Sequence, residues 1–74
     1  MDSDIVKQKI QETLPDANIV VVDMTGTGTN FAIDVVSKSF QGLNTVKQHK
    51  IIYEAVNPLF NEGMHSLQIK TSIQ

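Results

Sequence analysis

The sequence predicts an α+β fold in which a three-stranded mixed sheet carries its helices on one face. The predicted order is helix, strand, strand, helix, short helix, strand. Helical periodicity marks residues 3–14 and 45–56, whereas residues 18–36 contain two strand-like runs joined by a glycine loop. A last alternating segment, residues 64–72, returns to the sheet after a helical crossover. Such a crossover permits parallel pairing with a hairpin strand, which makes the sheet mixed.

The first helix is predicted to begin at Ser3 as its N-cap and to end before Pro15. Asp4 lies in the first turn, where a carboxylate complements the helix dipole. Pro15 ends the helix because the residue before a proline is displaced from helical geometry. One narrow apolar stripe follows at every fourth position: Val6, Ile10 and Leu14.

A hairpin is predicted from residues 18–24 and 31–36. The first run is rich in β-branched residues, and the second alternates apolar with small or acidic residues, which indicates one buried face. Gly26 and Gly28 in the intervening loop are expected to supply positive φ angles. A phosphate-binding loop is excluded because this loop joins two strands and no Lys-Ser or Lys-Thr pair follows it.

The second helix is predicted to begin at Thr45 as its N-cap and to bury one face. That face is expected to hold Val46, Ile52, Tyr53 and Val56, widened by Ile51 and Ala55.

A short helix is predicted next, with Asn57 as its cap and Pro58 at its first position. Leu59 and Phe60 are expected to anchor it, and Gly63 is expected to close it. In the last strand Leu67 and Ile69 are predicted to point inward. The alternating outward set is Met64, Ser66, Gln68 and Lys70.

Length and composition favour one small binding domain, residues 1–74, over an enzyme. The chain has 74 residues, 41% hydrophobic and 19% charged, with a net charge of −2. No nucleophile–base pair is recognisable, and so short a chain seldom builds a supported catalytic cleft. The acidic start Met1-Asp2-Ser3-Asp4 is unlike a signal peptide, and no apolar run is long enough to span a bilayer. We therefore expect a cytoplasmic protein without membrane contacts.

The absence of cysteine excludes disulfides and thiolate metal sites within this chain. The two histidines then become the candidate metal ligands, because imidazole is a common one. His65 follows Gly63-Met64 at the start of the last strand, where a partner's cofactor could reach it. His49 lies on the second helix. From the pattern alone, an ordinary surface or packing role is the more frequent one for each histidine, because one histidine does not make a metal site.

Several motifs in their order along the chain resemble the BolA-like proteins. They are Phe40-Gln41-Gly42, Gln48-His49-Lys50 and the segment from His65 to Lys70-Thr71, supported by residues 35–40 and 52–55. The resemblance runs from about residue 5 to residue 71. It implies an αββααβ fold similar to class II KH domains, in agreement with the order predicted above.

The same resemblance implies a non-enzymatic adaptor that binds a monothiol glutaredoxin and takes part in 2Fe–2S cluster trafficking or iron regulation. A cluster would be held only in complex with glutaredoxin and glutathione, and a weak homodimer is a further expected assembly. His65 would be a cluster ligand, and a second ligand would come from the loop between the first two strands. Residues 25–30 contain neither His nor Cys, which leaves Thr27, Thr29 and Asn30 as loop contacts. Gln48 replaces the usual arginine and weakens the basic character of its helix.

Nucleic-acid binding is the alternative function, because some BolA-like proteins are described as transcriptional regulators. Phosphates would then contact the predicted basic face of Lys38, Lys47 and Lys50. The net negative charge and the absence of a Gly-x-x-Gly motif weigh against this alternative. A stress-linked interaction protein that needs neither iron nor nucleic acid is the third option. The candidate contacts for a partner or a nucleic acid are Lys38, Lys47, His49, Lys50 and Lys70.

Overall fold

A computed structural model describes residues 2–74, and Met1 of the acidic start lies outside the described residues. The predicted order of elements is confirmed, with the short helix present as a 3₁₀ helix and an additional 3₁₀ turn after the second strand. Within the described part no helix is both long and apolar enough to cross a membrane. The elements are α1 Ser3–Thr13, β1 Asn18–Asp23, β2 Asn30–Ser37, a 3₁₀ helix Lys38–Phe40, α2 Thr45–Val56, a 3₁₀ helix Asn57–Glu62 and β3 Ser66–Ile73.

The three strands form one mixed sheet with β2 in the centre. β1 pairs antiparallel with β2, and β3 pairs parallel with β2 on its other edge. Ile33 therefore lies between Val21 on β1 and Ile69 on β3. Both the predicted hairpin and the parallel return of the last strand are confirmed. The likeness to class II KH domains stays a prediction, as does the cytoplasmic location.

The hydrophobic core lies between one face of the sheet and the two α-helices. Burial of such apolar surface is the main favourable term in folding a domain of this size. Leu67 and Ile69 of β3 pack against the core as predicted. The predicted stripe of α1 is buried as well. The fully buried apolar side chains are Val6, Ile10, Phe31, Val35, Phe40, Ile52, Val56 and Leu59.

The predicted N-caps of α1 and α2 were each wrong by one residue. Asp2, not Ser3, caps α1, because its carboxylate accepts the N–H of Ile5 at 3.0 Å. Asn44, not Thr45, caps α2 by accepting the N–H of Lys47 at 2.9 Å. Aspartate and asparagine are at least as good N-caps as serine and threonine, so the earlier residue took the position in both helices.

The short 3₁₀ helix follows α2 without a break, so the predicted cap at Asn57 was wrong. Asn57 is its first residue, Val56 stands in the cap position, and no side chain caps this helix. Gly63 ends the helix in the left-handed region, with φ of 114°, as predicted. Leu59 is buried and Phe60 is partly buried against the core.

The buried face of α2 differs from the predicted one. Val46 is 76% exposed and Tyr53 is 45% exposed, whereas Gln48 is 6% exposed. Gln48, Ile52 and Val56 recur at every fourth position and form the stripe that meets the core. Val46 and Tyr53 are seven residues apart and lie on the opposite side of the helix.

The strand ends also shift from their predicted positions. β1 ends at Asp23 rather than Met24, although the N–H of Met24 still donates to the carbonyl of Asn30 at 2.8 Å. β3 begins at Ser66 rather than Met64. Met64 is 2% exposed, contrary to its predicted outward position, because it lies in the turn before the strand, where strand alternation does not apply.

Asp16 connects the α1–β1 turn to the end of β2. Its carboxylate accepts the hydroxyl of Ser37 at 3.0 Å, the N–H of Lys38 at 3.0 Å and the hydroxyl of Ser39 at 3.2 Å. The Ser37 hydrogen bond is the largest cause that lowers the pKa of Asp16 below its ordinary 3.8, and the Lys38 N–H adds to it. One carboxylate thus binds three consecutive residues that are far from Asp16 in the sequence.

Asp16→Asn is expected to lower the free energy of unfolding at neutral pH, because the amide loses the charge that these donors favour. A carboxylate with a lowered folded-state pKa contributes stability that is complete above 3.8 and is lost as the pH falls through the lowered value. The difference between wild type and variant should therefore shrink below pH 3.8. Urea unfolding across this pH range measures it, with Glu12→Gln on the exposed side of α1 as control. A difference independent of pH would contradict the assignment.

Candidate functional site

His65 and the β1–β2 loop lie side by side at one end of the sheet. The backbone N–H of His65 donates to the carbonyl of Thr29 at 2.7 Å, and the N–H of Ser66 donates to the same oxygen at 3.2 Å. These bonds fix His65 directly before β3, one residue outside the strand that it was predicted to open. Its side chain is exposed. The backbone is therefore held in place while the imidazole faces solvent beside the loop.

The carboxylate of Asp23 organises the loop that faces His65. Oδ1 accepts the N–H of Gly26 at 3.0 Å, and Oδ2 accepts the N–H of Gly28 at 2.8 Å. Both glycines adopt the predicted positive φ, 72° and 75°. The sequence analysis did not single out Asp23. An aspartate just before a Gly-x-Gly turn was the available signal, since aspartate side chains commonly bind backbone N–H groups a few residues ahead.

A row of hydroxyl and amide groups continues from the loop to β3. The hydroxyls of Thr27 and Thr29 are 2.8 Å apart, and Nδ2 of Asn30 donates to Oγ1 of Thr29 at 3.1 Å. Oδ1 of Asn30 accepts the hydroxyl of Ser66 at 2.6 Å. One end of the Asn30 amide thus bonds the loop at Thr29, and the other joins β2 to β3 at Ser66. Of the predicted loop contacts, Thr27 is exposed, whereas Thr29 and Asn30 are partly buried.

His65 is the candidate metal-binding donor of this region. Nowhere in residues 2–74 do three or more His, Cys, Asp or Glu side chains gather as a metal site. An exposed imidazole beside a loop can supply one nitrogen to a metal that another molecule holds. The loop itself contains no His or Cys. The remaining ligands of a cluster bound here would have to come from a partner.

The other candidate residues do not form one surface. Lys47 and Lys50 are exposed on α2, with partly buried His49 between them, and Lys38 is exposed in the first 3₁₀ helix. Lys70 alternates with the inward-facing Ile69 of β3, so it lies on the face of the sheet away from both helices. The structure therefore separates Lys70 from the lysines of α2.

Gln48 does not belong to the basic face either. Its Nε2 donates to the carbonyl of Leu43 at 2.7 Å, and its Oε1 accepts the hydroxyl of Thr71 at 2.6 Å. This side chain is buried between α2 and β3, and the effect of its replacing an arginine on the basic character of the helix stays a prediction. Its role is to hold these two elements together.

Comparison with known proteins identifies relatives that share this fold and align with most of this chain. The family model described as BolA-like protein matches residues 5–74. The chain belongs to the BolA family. It is 29% identical over 62 residues to an uncharacterized protein of Rickettsia prowazekii, across 84% of this chain and 80% of that one.

Two solved structures from Arabidopsis thaliana resemble this BolA domain closely in backbone. BolA1 has a TM-score of 0.88 at 28% identity, covering 96% of this chain and 89% of BolA1. The BolA domain of SufE1 has a TM-score of 0.83 at 26% identity, covering 99% of this chain and 94% of that domain. Against the sequence of chloroplastic BOLA1 the match covers 86% of this chain but 48% of that protein, so the chain spans about half of that relative.

Proposed function

We propose that this BolA protein is a non-enzymatic adaptor that binds a monothiol glutaredoxin and offers His65 to a 2Fe–2S cluster carried by that partner. The observation that carries the proposal is the exposed His65 imidazole, whose backbone is fixed against Thr29 beside an organised loop. A side chain so placed can enter a partner's metal site without refolding of the chain. The occurrence of a BolA domain within SufE1 also supports a module that works together with another protein.

The chemistry of a single histidine suits this role. Replacing a thiolate with a neutral imidazole removes negative charge around a cluster and raises its reduction potential. Because the imidazole must be neutral to ligate, binding through His65 should weaken on acidification. A chain without cysteine also cannot exchange thiols with the partner's cluster ligands. The adaptor would therefore tune the cargo while the partner retains most of its ligands.

His65→Ala is expected to abolish the change that this protein causes in the visible circular dichroism of a cluster-loaded monothiol glutaredoxin. The wild type should alter the spectrum on titration, because an imidazole replaces a ligand at one iron. His49→Ala is the matched control, since it removes the other histidine from a partly buried site on α2. The control should titrate like the wild type.

Binding must be followed separately from ligation, for example by calorimetry with glutaredoxin free of cluster. A His65→Ala protein that still changes the spectrum as the wild type does would rule out His65 as the ligand. Binding that is equally tight with and without cluster, and with and without His65, would instead favour an interaction protein that needs no iron.

Nucleic-acid binding ranks second, supported by the exposed lysines of α2. A shallow groove on this helix is lined by Lys50, Tyr53, Glu54 and Asn57, and an aromatic ring beside a lysine suits a stacked base. Glu54 lines the same groove, however, and Lys70 lies on the other side of the sheet. The charge around this groove is therefore mixed, which favours the adaptor.

A further inference from the structure

The loop between β1 and β2 closes on a carboxylate that belongs to the strand before it. Asp23 is the last residue of β1 and is partly buried. Each of its two oxygens accepts a different backbone N–H, that of Gly26 at 3.0 Å and that of Gly28 at 2.8 Å. Hydrogen bonds to a charged acceptor are roughly twice as strong as those between neutral groups. A single side chain therefore ties the loop down at two points.

The anchor at Gly28 reaches His65 through one intervening residue. Thr29 lies between Gly28 and Asn30, the first residue of β2, so its backbone is fixed from both sides. The carbonyl of Thr29 accepts the N–H of His65 at 2.7 Å and that of Ser66 at 3.2 Å. The position of this carbonyl thus sets where the backbone of His65 lies.

The conformation of the loop depends on the Asp23 carboxylate more than on packing. Gly26 and Gly28 have φ of 72° and 75°, and glycine loses more conformational freedom on ordering than any other residue. A Cβ atom added at Gly26 would meet no atom within 4 Å, so packing does not hold the loop at this point. The hydroxyl contacts among the threonines of the loop are exposed to water and hold it less firmly.

We propose that Asp23 is the positioning residue of the His65 site: it fixes the loop and, through Thr29, holds the backbone of His65 ready for a partner's cluster. The inference rests on the proposed function, because it concerns the affinity of that same site. Asp23 is not itself offered as a ligand, since both of its oxygens already accept N–H groups. A site that is ordered before binding loses less conformational entropy when its partner arrives. Asp23 therefore sets how tightly His65 engages the cluster without touching it.

The first test measures the loop in the absence of a partner. In Asp23→Ala the N–H groups of Gly26 and Gly28 lose their acceptor, so their amide hydrogen exchange should accelerate by at least about tenfold. Exchange of the His65 N–H should accelerate by a smaller factor, because its acceptor on Thr29 becomes more mobile. NMR measures these rates residue by residue.

The second test titrates each variant into cluster-loaded monothiol glutaredoxin and follows visible circular dichroism. Asp23→Ala should need a concentration at least about tenfold higher than the wild type for half of the spectral change. Asp23→Asn should fall between the two, because its amide keeps one of the two acceptor oxygens.

Asp16→Asn is the matched control for both measurements. Asp16 bonds Ser37, the last residue of β2, at the end of the sheet opposite to the loop. The substitution removes a carboxylate that binds backbone and hydroxyl donors, as Asp23→Asn does, but it leaves the loop intact. It should titrate like the wild type and should keep the wild-type exchange of Gly26 and Gly28.

A double variant separates positioning from direct contact with the partner. Because Asp23 acts through His65, adding Asp23→Ala to His65→Ala should leave the residual affinity for cluster-loaded glutaredoxin unchanged within about twofold. Calorimetry measures this affinity. A further large loss in the double variant would show that the loop binds the partner by itself and would overturn the positioning role.

Failure of this inference and failure of the proposed function give different results. If the wild type changes the spectrum and Asp23→Ala does so at the same concentration, the positioning role is wrong while the adaptor function stands. If the wild type leaves the spectrum unchanged, the adaptor function fails, and the exchange of the His65 amide then decides alone. Exchange of that amide at the wild-type rate in Asp23→Ala would show that Asp23 does not position His65.

Discussion

Phe31→Ala is expected to lower the free energy of unfolding by about 3 to 5 kcal/mol, as for other buried phenylalanines. Phe31 is fully buried and stands directly after Asn30, the residue whose amide joins β2 to β3. The substitution removes a ring from the centre of the core and leaves a cavity beneath the loop that faces His65. A chain of this length has a total stability of roughly 4 to 11 kcal/mol. The loss is therefore a large fraction of the total stability.

Urea unfolding followed by circular dichroism measures this loss. Tyr53→Ala is the matched control: it also removes an aromatic ring, but one that is 45% exposed on α2. The control should lose about 1 kcal/mol or less, because nearly half of its surface already lies in water and its removal leaves no closed cavity in the core. Equal losses in the two variants would mean that Tyr53 packs in the core, as the periodicity of α2 predicted, and would contradict its exposed position.

Gln48→Leu is expected to lower the free energy of unfolding by about 2 to 3 kcal/mol although it inserts an apolar residue into a buried position. The loss arises because the Leu43 carbonyl and the Thr71 hydroxyl both lose their partner. Leaving a buried polar group without a partner costs about 1 to 3 kcal/mol. Thr71→Val should cost about 1 kcal/mol by freeing Oε1 of Gln48.

A double-mutant cycle separates the Gln48–Thr71 bond from other effects. Gln48→Leu combined with Thr71→Val should be less destabilising than the sum of the single changes by about 1 kcal/mol, because both partners of one bond are removed together. Gln8→Leu at an exposed position of α1 is the control and should change stability by less than about 0.5 kcal/mol. Strict additivity of the two substitutions would show that the 2.6 Å contact contributes nothing.

Periodicity was sufficient to predict the order and type of the main elements. The β-branched run in β1 and the alternation in β2 have a period of two residues, whereas the stripe of α1 repeats at every fourth residue. These signals are local, so they can be recognised in the sequence without knowing which other elements pack against the segment. The caps were harder to place because two adjacent residues, such as Asp2 and Ser3, can both accept a backbone N–H.

The buried face of α2 could not be predicted from the same kind of pattern. Val46 and Tyr53 are apolar yet exposed, and Gln48 is polar yet buried. Judged by hydrophobicity alone, Val46 and Tyr53 would be placed in the core. The hydrogen bonds that make Gln48 acceptable there come from Leu43 and from Thr71, which is 23 residues away. No local signal records that a buried amide will find both partners.

By itself, the sequence determined the elements, the absence of thiol chemistry and the BolA motifs that single out His65. Only the tertiary structure decided what these residues meet. It placed His65 against Thr29 and gave the carboxylate of Asp16 its donors from Ser37, Lys38 and Ser39. It also left Oδ1 of Asp34 without a hydrogen-bond partner within residues 2–74. The physical reason is that element type depends on neighbours within a few residues, whereas the pairing of a polar group depends on strand register and helix docking. Those are set by the packing of the whole core.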